Sequence, residues 1–279
     1  MVSINLYQSG KIDITLQFPA SWNELFPDEI IFISKTLILQ NEANFKQTRP
    51  RLLKYIVESR AKAAGKKLPK TWMTVVDKEQ MVIDGYPLLD FVFKENDLTK
   101  IPEPVVLRGK TFYPVTFDNI TCGEFEDAEI ISNNFFKEPS DKLLASLTSI
   151  LFRPKKKGII MPYMTFNFRA SSFKVYDHSK VQRRFLKLTP GHLYSIYIWY
   201  LGCRKQLTEI FPSVYSGGVE APSDPLAFTN CIHAGAGPKN GNRSQIRAMK
   251  LYEFMYDMEQ EAIKAIELKQ EYERLRHAR

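Results

Sequence analysis

The chain opens on a period of two. Ile12, Ile14, Leu16 and Phe18 fall on one face of residues 11–18, and residues 4–7 alternate more weakly on the other side of Gln8-Ser9-Gly10-Lys11. Alternation interrupted by a short glycine-containing turn predicts an antiparallel β-hairpin. Pro19 ends it. From Asp28 the spacing becomes helical: Ile30, Ile31, Ile33, Leu37 and Ile38 mark a helix entered through Asp28 and Glu29 at the positive end of its dipole. Leu52, Leu53, Ile56 and Val57 mark a second helix, from Pro50 to about Ala64, with Gly65 as its stop. Short helices fit 76–83 and 87–94, and Pro102 and Pro104 punctuate the chain after them.

Beyond that break, residues 110–117 read as a short strand or an extended segment. Thr121-Cys122-Gly123-Glu124 has capping-box spacing for a helix reaching Phe136, and Ser140 caps another from Asp141 to Phe152. A helix fits 178–187. Thr189-Pro190 opens a further one to about Phe211, whose middle (Leu193, Tyr194, Ile196, Tyr197, Ile198, Trp199, Tyr200, Leu201) is apolar nearly all round and therefore central to a fold. Residues 212–243 are rich in Gly and Pro without periodicity and read as a loop. Ser244 to about Arg276 is a long helix with a stripe of Leu251, Met255, Met258, Ala262, Ala265, Tyr272 and Leu275. The expected fold is mainly α with a small N-terminal β-hairpin, ending in a long C-terminal helix. The expected divisions are 1–105, 106–211, the loop 212–243 and the helix 244–279.

Charge alters this picture in one place. Residues 151–210 hold twelve Lys or Arg against Asp177 and Glu209, a local +10 in a chain whose total is +8. A localised field points to binding rather than to a catalytic pocket. The candidate partner-binding set is Arg153, Lys155, Lys156, Lys157, Arg169, Lys174, Arg183 and Arg184, with Tyr197, Trp199 and Tyr200 as an aromatic groove. The C-terminal stripe (Leu251, Met255, Met258, Ala262, Tyr272) is a second candidate surface. Basic side chains interleaved with aromatics over 163–187 also fit nucleic acid, without a module signature. The acids Glu124, Glu126, Asp127 and Glu129 read as a solvated helix face, or alternatively as neutralisers of the basic region.

Catalytic and metal motifs are weak. Gly235 to Asn242 mimics a phosphate loop, but Lys239 precedes the last Gly and Pro238 removes an amide donor. Cys231 and His233 lack two further ligands at zinc spacing, with Cys203, His192 and His178 candidates only by elimination. Neither a nucleophile elbow nor a paired-carboxylate pattern is present, so no enzyme and no cofactor are expected. Three scattered cysteines argue against a disulfide framework. The start of the sequence lacks a signal-peptide pattern, and the most apolar run, Leu193 to Cys203, is about half a membrane span. The expectation is a soluble protein of the cytoplasm with no membrane partner.

Three segments carry a resemblance: Ser21-Trp22-Asn23-Glu24-Leu25; Phe117-Asp118-Asn119-Ile120-Thr121-Cys122-Gly123-Glu124-Phe125-Glu126-Asp127-Ala128-Glu129; and Asp141 to Leu147 ending in Leu151-Phe152-Arg153-Pro154. With Arg183-Arg184-Phe185 and the aromatic helix after Thr189-Pro190, they resemble a family of tailed-phage morphogenesis proteins. Such proteins are carried by phages and prophages of Bacteroidetes-type bacteria and look like tail-assembly chaperones. The likeness spans about residues 110–275, and the chain departs from it in the basic 153–187 region and the Gly-rich 235–241 loop. It implies a phage assembly role in the host cytoplasm, with the tape-measure or tube protein as partner. A nucleic-acid-binding protein and a structural neck or tail component of the virion are the alternatives.

Overall fold

The computed structural model describes residues 1–8, 11–40, 45–68, 87–94, 96–154, 178–215 and 226–277. It is mainly helical, with a two-stranded N-terminal hairpin and a long C-terminal helix. The chain forms two compact units. One comprises Met1–Pro102 with Thr189–Cys203, the other Glu103–Leu188 with Arg204–Arg279.

In the first unit, β1 (Val2–Gln8) pairs antiparallel with β2 (Lys11–Phe18), with an irregularity between Leu6 and Tyr7. The alternation in β2 has its expected result: Ile14, Leu16 and Phe18 are buried. Each such side chain contributes about 1.5–3 kcal/mol by leaving water. α1 (Pro27–Ile38) and α2 (Phe45–Ala63) follow, then α3 (Asp90–Lys94) after a 3-10 turn at Pro87–Leu89. α2 starts five residues before Pro50, the position read as its first turn. The predicted helix at 76–83 lies outside the described residues.

The Ser21–Leu25 segment is a clamp. Its 3-10 turn (Trp22–Glu24) sends the Trp22 amide to Asp97 Oδ1 at 3.0 Å and the Trp22 indole N–H to Phe91 O at 3.1 Å. Asn23 donates to Asp97 O at 2.5 Å, and its Oδ1 accepts from the amides of Thr99 and Lys100. Below it, Arg60 donates to both Glu29 carboxylate oxygens (2.9 and 2.6 Å) and to Glu24 O, with its guanidinium 3.8 Å from the centre of the Phe26 ring. Glu29 is fully buried. A buried ion pair persists only when its remaining hydrogen-bonding capacity is also satisfied, as here.

α7 (Pro190–Ile210) supplies the rest of this core. Trp199 and Tyr200 are buried, and Asn96 donates to Ile198 O at 2.6 Å. At Gly202 the helix meets the Leu98 backbone so closely that a Cβ would overlap the Leu98 carbonyl.

In the second unit, β3 (Val105–Leu107), β4 (Lys110–Pro114) and β5 (Phe152–Pro154) form an antiparallel sheet in the order β3-β4-β5. Packed with it are α4 (Cys122–Lys137), α5 (Asp141–Leu151) and α6 (His178–Phe185). The caps foreseen at Thr121 and Ser140 are in place: Thr121 Oγ1 accepts from Glu124 N, and Ser140 Oγ accepts from Leu143 N. Residues 212–243 are not a plain loop. They contain α8 (Pro212–Tyr215), α9 (Ala227–Ala234) and a turn closed by paired Gly237–Gly241 backbone bonds.

The C-terminal pattern is split into α10 (Arg243–Ala248) and α11 (Leu251–His277). The cause is tertiary. Met249 turns extended so that its carbonyl accepts from Cys122 N at 3.0 Å, while Leu251 N donates to Ile120 O at 2.8 Å. Local periodicity carries no trace of these bonds.

The Gly202–Leu98 contact gives a direct test. Gly202→Ala gains helix propensity but inserts a methyl into backbone, so the variant should lose about 1–3 kcal/mol in urea unfolding. A neutral or stabilising result would show that the helix is free to move away from Leu98.

Candidate functional site

The acids of α4 are not a solvated face. Glu124, Glu126 and Glu129 are 2%, 2% and 8% exposed, and each meets an arginine from another segment. Glu124 Oε1 lies 2.5 Å from Arg153 Nη2 of β5, and its other oxygen accepts from the Thr121 amide at 2.9 Å. Glu126 binds Arg247 and Arg243 of α10 and accepts from Thr229 Oγ1 of α9 at 2.7 Å. Glu129 pairs with Arg204 at 3.0 Å. One helix thus gathers β5, α7, α9 and α10 through carboxylates. Gly123 lets α10 come close: a Cβ there would sit 3.1 Å from Arg247 O.

Asp127 differs from its neighbours. Burial, then the Glu124 carboxylate, push its pKa up to about 6. Arg247 Nη2 stands 3.3 Å away, but that guanidinium also serves Glu126 and is itself held below its usual value by burial. Asp127 lines a cleft of about 340 Å³ with Ile130, Ile131, Ile150 and Gln182. Gln182 is already engaged, donating to Ser146 Oγ and to Lys142 O.

The described members of the predicted binding set do not form one exposed surface. Arg153 is fully buried against Glu124, so it is a structural cation rather than a contact residue. Tyr197, Trp199 and Tyr200 are 6%, 1% and 0% exposed and belong to the core of the first unit, not to a groove. An apolar-all-round helix pattern identifies burial, and it is burial that holds here. Lys155, Lys156, Lys157, Arg169 and Lys174 lie outside the described residues. Arg183 is exposed and Arg184 half-buried, with Lys187 exposed beside them. None of these three makes an ion pair with the described residues.

The Gly235–Asn242 turn does not present a phosphate cradle. Lys239 lies 3.2 Å from Asp257 and 3.3 Å from Glu261, both on α11. Among the described residues no group of three His, Cys, Asp or Glu is placed to hold a metal ion. Burial pushes the Cys122 and Cys203 thiols up to about 12 and raises Cys231, so none offers a thiolate near neutrality. No helix of the described residues is long and apolar enough to cross a membrane.

The C-terminal stripe divides at Glu259. Leu251 and Met255 are buried, and Met258 is half-buried. Glu259 caps α8, accepting from Ser213 N at 3.0 Å and Val214 N at 2.9 Å. Burial acts to raise its pKa, but the bonds from Ser213 and Val214 outweigh that and hold it low. Beyond this anchor every residue from Gln260 to His277 is exposed except the half-buried Ala262. Ile266, Leu268, Tyr272 and Leu275 are 40%, 67%, 69% and 62% exposed. At 1.5 Å per residue this stretch is about 27 Å of helix, whose one ion pair among the described residues is Glu261 with Lys239. The sequence identified the stripe but not where its burial stops.

The chain matches no protein-family model, no curated protein and no solved structure.

Two outcomes test the carboxylate hub. Removing one member of the Glu124–Arg153 pair strands a buried charge, so Glu124→Gln or Arg153→Met should cost about 3–5 kcal/mol, while Glu124→Leu with Arg153→Met should recover most of it. Single costs near zero in urea unfolding would contradict a buried pair. For Asp127 the folded value lies above the ordinary 3.8, so the folded state holds this proton over the interval between the two values. Its contribution to stability is therefore largest below that interval and falls as pH rises through it to about 6. Thermal melts from acid to neutral pH should show the wild type losing ground against Asp127→Asn as pH rises; parallel curves would mean the carboxyl is not shifted.

Proposed function

We propose that this protein is a non-enzymatic assembly factor of a tailed phage, of the tail-assembly chaperone kind. In this reading it keeps an elongated helical partner, such as a tape-measure protein, soluble by docking it on the outer half of α11. The observation that carries the reading is the run of exposed apolar side chains on that helix after Glu259. Exposed apolar stripes on a preformed helix suit helix-to-helix recognition. A second support is that the segments carrying the resemblance have structural work. Trp22 and Asn23 clamp the first unit, and Glu124 and Arg153 join two of the signature segments as an ion pair. The phage setting itself rests on the sequence resemblance.

The second reading, nucleic-acid binding, is favoured by one observation: Arg183, Arg184 and Lys187 have no ion pair among the described residues. It requires affinity for DNA or RNA that falls steeply with added salt.

Co-expression with the tape-measure protein of the same genome should raise that protein's soluble fraction and yield a complex on pull-down. Leu268→Asp with Tyr272→Asp removes two apolar contacts worth about 1.5–3 kcal/mol each, so capture should weaken at least roughly a hundredfold with the fold unchanged by circular dichroism. Capture unaffected by the double variant would move the site away from α11. Absence of any complex with the wild type would end the chaperone reading.

A further inference from the structure

We infer that the outer half of α11 pairs antiparallel with the same helix of a second copy of this chain. The inference uses the stripe on which the proposed function rests, but not the identity of any phage partner. In proteins most helical stability comes from packing of an amphipathic face. Here, apart from Glu261 beside Lys239 and the half-buried Ala262, the helix from Gln260 onward is exposed among the described residues. Met258, Ala265, Leu268, Tyr272 and Leu275 recur at the alternating three- and four-residue spacing of a coiled-coil seam, with Glu261 in the one polar seam position.

Charge chooses the orientation. In a parallel pair Glu261 meets its own copy in the seam, and Lys264 faces Lys269 across the flank. An antiparallel pair centred on Leu268–Tyr272 brings Lys269 against Lys269 and Glu271 against Glu271. An antiparallel pair centred between Ile266 and Glu267 avoids all of these. It places Lys264 beside Glu271 of the second copy, and by symmetry the reverse. Met258 then lies opposite Leu275, Ala265 opposite Leu268, and Glu261 opposite the Tyr272 hydroxyl. Small faces large at the centre, as interdigitating layers require. The helix dipoles also run opposed, with each N-terminal end beside the other's C-terminal end. The free protein would hold its stripe covered in this way, and a helical partner would have to exchange with the second copy.

The test uses the full chain. Sedimentation over about two decades of concentration, roughly 1 to 100 μM, should show a monomer–dimer equilibrium. Leu268→Glu should raise the dimer dissociation constant at least tenfold. Lys264→Glu should raise it severalfold, and adding Glu271→Lys should restore it. A zero-length carbodiimide linkage on a mixture of light and isotope-labelled wild type should join Lys264 to Glu271 between copies, without any substitution. A monomer throughout, or a dimer lacking that linkage, overturns the inference. Partner capture by a strictly monomeric chain would leave the proposed function standing, and a dimer that captures nothing would do the reverse.

Discussion

The buried contact between Glu124 and Arg153 is the constraint on which the second unit is built. It ties the first turn of α4 to β5, so the sheet and the helix cannot separate without leaving a charge in the interior. The same helix repeats the device with Glu126 and Glu129, each holding an arginine from another part of the chain. Charge that looks like surplus in the sequence is in this way partly internal. The first unit has its own version in Glu29 and Arg60, sealed by the Phe26 ring. Buried ion pairs add little net stability over apolar packing, but a misregistered helix would strand several charges at once. That penalty is the reason to expect a single arrangement of α4 against its neighbours.

The proposed function rests on what the second unit exposes. The Cys122 and Cys203 thiols are buried, Lys239 is held by two acids, and the aromatic segment of α7 is core. What the second unit offers outward is an anchored helix. Glu259 fixes α11 at the N-terminus of α8, and past that point apolar side chains such as Leu268 and Tyr272 are exposed among the described residues. In the proposed reading, such a surface would supply affinity through burial, and charges such as Lys264 and Glu271 would select partner and orientation.

Much of the fold was legible in the sequence because its signals are local. The alternation of Ile14, Leu16 and Phe18, the caps at Thr121 and Ser140, and the apolar run of α7 each report one element's own environment. What was missed depends on distant partners. Glu124 and Glu126 were read as a solvated face or as neutralisers of the basic region; the choice depends on Arg153, Arg243 and Arg247, some thirty to more than a hundred residues away. The break at Met249 comes from bonds to Ile120 and Cys122. The strands β3 and β5 are three residues each, too short for a period to register. At the candidate surfaces the stripe of α11 was visible, but Leu251 and Met255 proved to face inward and Tyr272 outward. Arg153, Tyr197, Trp199 and Tyr200 were assigned to a surface because basic and aromatic character says nothing about accessibility.

Residue-resolved hydrogen exchange on the dilute full chain tests the central claim most directly. If the carboxylates of α4 organise the second unit and α11 is anchored only as far as Glu259, amides of Cys122–Lys137 should exchange among the slowest, while those from Gln260 to His277 are the fastest helical amides. Equal protection along the whole of α11 at high dilution, or fast exchange throughout α4, would contradict the account.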